Sequence, residues 1–184
     1  MQLNQTSAKI IGFNFRGDRE KDDYYATPKE TTKALLNVER FSKNILEPCC
    51  GEGHISKVLI ENGYTVESSD LVDRNFGTPK VDFLIETRKR ENIITNPPYK
   101  NALEFAQKAT DLASNKVALL LKLNFLEGVK RKKFFDNTPP VRVYVFSQRQ
   151  SLMKNGKPYK GGMMALAWFV WEAGNTKRPT VHWL

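Results

Sequence analysis

Apolar positions along the chain come in short blocks separated by polar punctuation. Asn44–Glu47, Thr65–Asp70 and Asn92–Thr95 are brief strand-like runs, and Val81–Leu84 is a further, very short one. Val117–Leu121 is apolar at every position, the pattern of a strand covered on both faces. Between these runs, Lys29–Arg40, His54–Asn62, Ala102–Ser114 and Val129–Phe135 carry helical patterns. Pro28 suits the first helical turn, where its missing N–H would be unpaired anyway, and Thr27 is a candidate N-cap. Gly63 is a normal helix stop.

After about residue 135 the alternation ends. Val141–Phe146 and the aromatic-rich Met164–Trp171 read as two successive strands around a 17-residue polar segment, Ser147–Met163. Such long connections are often functional. The order predicts an α/β fold: a mostly parallel sheet with helices on both faces, closed at one edge by an antiparallel C-terminal hairpin. Residues 1–23 read as irregular, no internal repeat is visible, and residues 1–184 form one expected domain.

Composition narrows the class. Apolar residues make up 40% and charged residues 27%, a globular mix, and two cysteines do not make a disulfide scaffold. No apolar run approaches the roughly 18 residues of a membrane span, and the first residues lack a secretion signal, so a cytoplasmic protein is expected. Charge changes the picture more. The net charge is +9, and the segment Lys116–Lys160, with 11 Lys or Arg against 2 acids, carries the whole excess. A local basic surface attracts polyanions, nucleic acid above all, although a basic run can also be a solvated face.

Two turns hold candidate chemistry. Glu47-Pro48-Cys49-Cys50-Gly51-Glu52-Gly53-His54 joins a strand to a helix, and its glycines allow a sharp turn close to a ligand. It lacks the third glycine of the dinucleotide fingerprint and the Gly-Lys-Ser/Thr of a phosphate loop. Asp70 lies 19 residues beyond Gly51, where Rossmann-like sheets carry an acid for ribose hydroxyls. Cys49 and Cys50 are adjacent, without metal-ligand spacing. The second turn, Asn96-Pro97-Pro98-Tyr99, is more specific. Two prolines remove two amide donors and stiffen the backbone. Asn96 presents an amide oxygen to a planar amine, and Tyr99 offers a ring for stacking.

Together these motifs resemble the S-adenosylmethionine-dependent adenine-N6 methyltransferases, especially the small phage-type DNA adenine methylases. The resemblance implies a Rossmann-like methyltransferase sheet and assigns roles. Tyr25, Thr27 and Pro28 would hold the methionine part of the cofactor; Glu47, Pro48, Gly51 and Gly53 would form the cofactor loop; Asp70 would bind its ribose and Asp82 would lie near its adenine. Asn96, Pro97, Pro98 and Tyr99 would be catalytic, with Asn96 also beside the cofactor, and no metal is required. Ser147, Arg149, Lys154 and Lys157 are candidate substrate contacts, because such side chains reach base edges and phosphates.

No counterpart of the family's DNA-reading domain is expected in residues 1–184, because 85 residues follow Tyr99 and the predicted sheet consumes them. A homodimer or a partner subunit is the expected source of target recognition. The implied function is methylation of adenine N6 in nucleic acid, DNA before RNA, in a bacterial or phage-infected cytoplasm. Families that methylate guanine N2 in RNA or glutamine in proteins also use this turn, and a non-catalytic methyltransferase-like subunit that binds nucleic acid is the remaining alternative.

Overall fold

The computed structural model describes residues 25–154 and 157–184, with the side chains of 151–163 outside that description. The irregular reading of residues 1–23 therefore falls outside the described residues. Helices α1 (Lys29–Val38), α2 (His54–Glu61), α3 (Ala102–Leu112) and α4 (Val129–Asn137) surround a seven-stranded sheet. Its strands are β1 (Asn44–Glu47), β2 (Thr65–Ser68), β3 (Arg90–Thr95), β4 (Ala113–Lys122), β5 (Arg142–Val145), β8 (Leu166–Glu172) and β9 (Thr180–Trp183), in the order β2-β1-β3-β4-β8-β5-β9. β8 is antiparallel to both of its neighbours, and every other pairing is parallel.

The period-two alternation of the strands divides the core. Ile93, Leu119, Leu121, Phe169 and Trp171 face α3 and α4, while Ile94, Leu120, Trp168 and Val170 face α1 and α2. β8 anchors both layers through its tryptophans. Trp168 Nε1 donates to Thr31 O in α1 (2.9 Å), and Trp171 Nε1 donates to Thr138 O just beyond α4 (3.1 Å). Buried indoles need such acceptors.

Four local expectations are corrected. Val81–Leu84 is no strand; Asp82 instead caps a 3-10 turn, Phe83–Ile85, by accepting from Leu84 N (2.9 Å). The antiparallel pair β5/β8 exists but is not at the edge, because β8 is buried at Leu166–Trp171 and needs a strand on either side. The exposed β9 takes the edge. The polar segment after β5 is not a loop but a separate two-stranded hairpin, β6 (Gln150–Lys154) and β7 (Lys157–Met164). Finally, Pro28, not Thr27, occupies the N-cap position of α1, and no side chain caps that end.

Candidate active site

The carboxyl ends of β1, β2 and β3 meet at one edge of the sheet, where open α/β sheets place their ligands. A cavity of about 710 Å³ opens there. β1 delivers Glu47 and Pro48 to its floor, and the chain then reverses through Gly51 (φ 54°) and Gly53 (φ 80°). At Gly53 the requirement is double. The positive φ disfavours an L side chain, and a Cβ would lie 2.5 Å from the Phe76 ring. Lys57 Nζ lies 5.0 Å from the centroid of that ring.

Asp70, just past β2, ties this turn to the cavity wall. Its Oδ2 accepts from Gly51 N and its Oδ1 from Val72 N, both at 2.8 Å. Each oxygen keeps a second lone pair for a ligand hydroxyl. Val72, Phe83, Leu84 and Phe105 add apolar wall, and Asp82 lines the cavity beside them. The turn residues Gly51 and Gly53 shape this wall without lining the cavity among the described residues.

Glu47 is 1% exposed. It accepts a short hydrogen bond from Ser56 Oγ, which contacts Ser68 Oγ at 2.6 Å. Burial pushes the Glu47 carboxyl up to about 8, against the smaller opposing effect of the Ser56 hydrogen bonds, so the acid is protonated at neutral pH. Burial likewise raises Cys49 well above its ordinary value and Cys50 to about 12, which leaves both as neutral thiols. His54 is lowered, chiefly by burial, and stays uncharged at neutral pH despite Glu52 Oε2 at 3.8 Å.

The Asn-Pro-Pro-Tyr turn follows the buried β3. Asn96 Nδ2 donates to Tyr25 O (3.3 Å) and to Thr27 Oγ1 (3.1 Å). A backbone carbonyl only accepts, so these contacts decide which end of the amide faces the N-terminal segment. The amide oxygen points the other way, and Asn96 lines the cavity. The hydroxyl assigned from sequence to capping α1 is thus used to orient Asn96. Pro98 lines the cavity as well, whereas Tyr99 lines a separate groove on the far side of the turn. The Tyr99 ring stacks on Tyr25 (centroids 6.4 Å, planes 20° apart), and Lys122 Nζ lies 5.0 Å from its centroid.

Tyr25 and Thr27 therefore line the cavity, whereas the Pro28 and Pro97 rings do not. Lys100 and Asn101, immediately after the turn, and Arg74, in the loop after Asp70, also line it. Their adjacency to the motifs was the only signal for them in the sequence. Of the expected substrate contacts, Ser147 and Arg149 do not line the cavity. Ser147 is pinned to the end of β9, its N–H (3.0 Å) and hydroxyl both donating to Leu184 O. Arg149 is exposed and does not line the cavity. Lys154 and Lys157 belong to the backbone of β6 and β7, and their side chains lie outside the described residues. Gln150, at the start of β6, accepts from Thr31 Oγ1 at 3.2 Å, which sets the base of the hairpin beside α1.

Among the described residues, no group of three His, Cys, Asp or Glu side chains is arranged to hold a metal ion, and no helix is long and apolar enough to cross a membrane.

The fold superposes on solved structures of several methyltransferases. A modification subunit of a candidate type I restriction enzyme from Vibrio vulnificus superposes with a TM-score of 0.64 at 11% identity, covering 91% of this chain and 48% of that one. A candidate RNA methyltransferase from Pyrococcus horikoshii gives 0.64 at 11% identity, covering 94% and 99%. The methyltransferase subunit of a type I restriction-modification system from Streptococcus thermophilus gives 0.62 at 13%, covering 90% and 48%. The fold is that of the class I S-adenosylmethionine-dependent methyltransferases. The chain spans about half the length of the two restriction-system subunits. No protein-family model and no curated protein sequence matches it. Within this methyltransferase fold, the cavity lies against the glycine turn, Asp70 and Asn96.

Proposed function

We propose that the chain transfers a methyl group from S-adenosylmethionine to the exocyclic N6 amine of adenine in nucleic acid, with DNA the favoured substrate. The observation that carries this reading is the Asn96 amide, held by Tyr25 O and Thr27 Oγ1 at the wall of the cavity that Asp70 also lines.

The cavity suits a nucleoside-bearing cofactor. Its volume of about 710 Å³ falls within the usual range for small-molecule sites, roughly 300–1,000 Å³. Asp70 would take the ribose hydroxyls, and Phe83 and Leu84 offer apolar surface to an adenine ring beside Asp82. When bound, S-adenosylmethionine supplies a methyl group activated by its sulfonium.

The protein's part is positioning. The N6 lone pair of adenine is delocalised into the ring. Hydrogen bonds from the amine to Asn96 Oδ1 and to the Pro97 carbonyl favour a pyramidal nitrogen and aim its lone pair. The two prolines keep those acceptors in place because the turn has few donors of its own. Tyr99 supports the base, which leaves a duplex before reaching the turn. Stacking on the face now covered by Tyr25 requires that ring to move. The neutral thiols of Cys49 and Cys50 take no part.

Isothermal calorimetry with S-adenosylmethionine, followed by transfer of a tritiated methyl group to DNA, RNA and protein, tests the reading. Donor binding and N6-methyl-2′-deoxyadenosine in the nucleoside digest of DNA are expected. Label confined to protein, or to guanine in RNA, overturns it.

A further inference from the structure

On the far side of the Asn-Pro-Pro-Tyr turn lies a groove of about 420 Å³. Lys100 lines both the groove and the donor cavity, so the two adjoin. Among the described residues the groove has four cations, Lys100, Lys122, Lys130 and Arg131, against one acid, Glu104. The donor cavity is mixed, with Glu47, Asp70 and Asp82 beside Arg74 and Lys100. Two of the cations lie over rings of the groove. Lys122 Nζ lies 5.0 Å from the Tyr99 centroid, and the Arg131 guanidinium lies 5.4 Å from that of Phe125.

Arg131 is held in place. Its Nη1 donates to Asn124 O (2.9 Å), and its side chain crosses Gly128, where a Cβ would come within 3.3 Å of it. Gly128 has φ +104°, so its backbone and the arginine both favour glycine. A guanidinium fixed in this way loses little side-chain freedom when it meets a phosphate.

We propose that this groove, rather than the segment after β5, is the track for the phosphate backbone of the substrate strand next to the target base. The proposal rests on the methyl-transfer reading for its substrate. A basic channel with interleaved aromatic rings is the pattern that follows a single strand without reading its sequence.

The test uses the full chain with Lys130→Gln/Arg131→Gln, and the double variant Lys177→Gln/Arg178→Gln as a control. The control removes the same charge from exposed residues beyond β8, at the opposite end of the sheet. Binding of a fluorescein-labelled single-stranded oligonucleotide is measured across a salt series. The groove variant is expected to bind about tenfold more weakly near 100 mM salt, with a log–log salt slope smaller by about 1.4. The control keeps wild-type values. S-adenosylmethionine affinity stays the same in both variants, which also reports folding. Lys130→Gln alone, an exposed position, gives about half the slope change.

Equal losses in the groove and control variants, or no loss in either, overturn the proposal. So does unchanged oligonucleotide binding alongside lost binding of a poly-glutamate peptide. Wild-type transfer of label is scored separately: a groove-dependent oligonucleotide complex that methylates only protein upholds the groove and overturns the proposed reaction.

Discussion

Glu39 and Glu47 are eight residues apart, both buried, and end at opposite edges of the sheet in opposite ionisation states. Glu39, 3% exposed, accepts from Lys116 Nζ (2.9 Å), Tyr144 OH (2.8 Å) and the Arg142 guanidinium, which also pairs with Glu172. Burial pushes its carboxyl up, but the hydrogen bonds from Arg142, Lys116 and Tyr144 outweigh that and hold it below its ordinary value of 4.5. Glu47 is opposed only by hydrogen bonds from Ser56, and the nearby Asp70 adds to the effect of burial, so the acid keeps its proton up to about 8. The pair shows that burial neutralises a carboxyl unless cations come with it. It also separates two kinds of charge cluster. The amino edge saturates its charges with one another, which is a structural use, while the carboxyl edge lines a cavity with Asp70 and Asp82 and the adjoining groove with cations.

The contrast breaks most sharply at Asn96. Asn96→Ala is expected to lower turnover at least about 100-fold, the scale of losing one preorganised polar group at a reacting centre. Calorimetry should still show S-adenosylmethionine binding; retained turnover would remove Asn96 from the chemistry.

At the other edge, Glu39→Gln leaves Lys116 and Arg142 facing a neutral amide. Urea unfolding should show a loss of about 3 kcal/mol, the lower end for breaking a buried pair, because both cations keep some exposure and Glu172. Donor affinity of the folded fraction should be unchanged, which would make that edge purely structural.

A smaller effect is expected at Thr27, a positioning residue that acts through Asn96. Thr27→Val should lower kcat about tenfold, equivalent to one hydrogen bond of about 1.4 kcal/mol, with KM for the donor less affected. Thr27→Ser should restore kcat, a rescue that loss of packing alone would not give.

The mildest test concerns pH. Because the folded-state pKa of Glu47 is raised, its contribution to stability is complete below 4.5 and is lost as pH rises toward about 8. Glu39 is lowered, so its contribution is present above 4.5 and is lost on further acidification. Urea midpoints of Glu47→Gln should fall less steeply between those limits than wild type, and a parallel fall would show that Glu47 is not the buried acid.

Much of the site was legible because its signals are local. Prolines and glycines constrain the backbone wherever they occur, so the Asn96–Tyr99 turn and the Gly51–Gly53 turn could be placed at strand ends from their composition alone. Short apolar runs likewise marked β1, β3, β4, β5 and β8. The basic segment was not legible in the same way. Lys116 and Arg142 were counted with Lys122, Lys130 and Arg131, yet the fold sends the first two to the ion cluster at the amino edge and the others to the groove. The hydrogen bond between Thr27 and Asn96 joins residues 69 apart, and no spacing rule announces it.

The sequence by itself thus determined where the chain turns, which strands are buried and which turns can approach a ligand, because torsional limits and hydrophobic period act over a few residues. Only the tertiary structure decided which charges neutralise one another, which amide end Asn96 presents, and that β8 enters the sheet between β4 and β5. Those outcomes depend on which distant groups burial brings together and on which partners they find there.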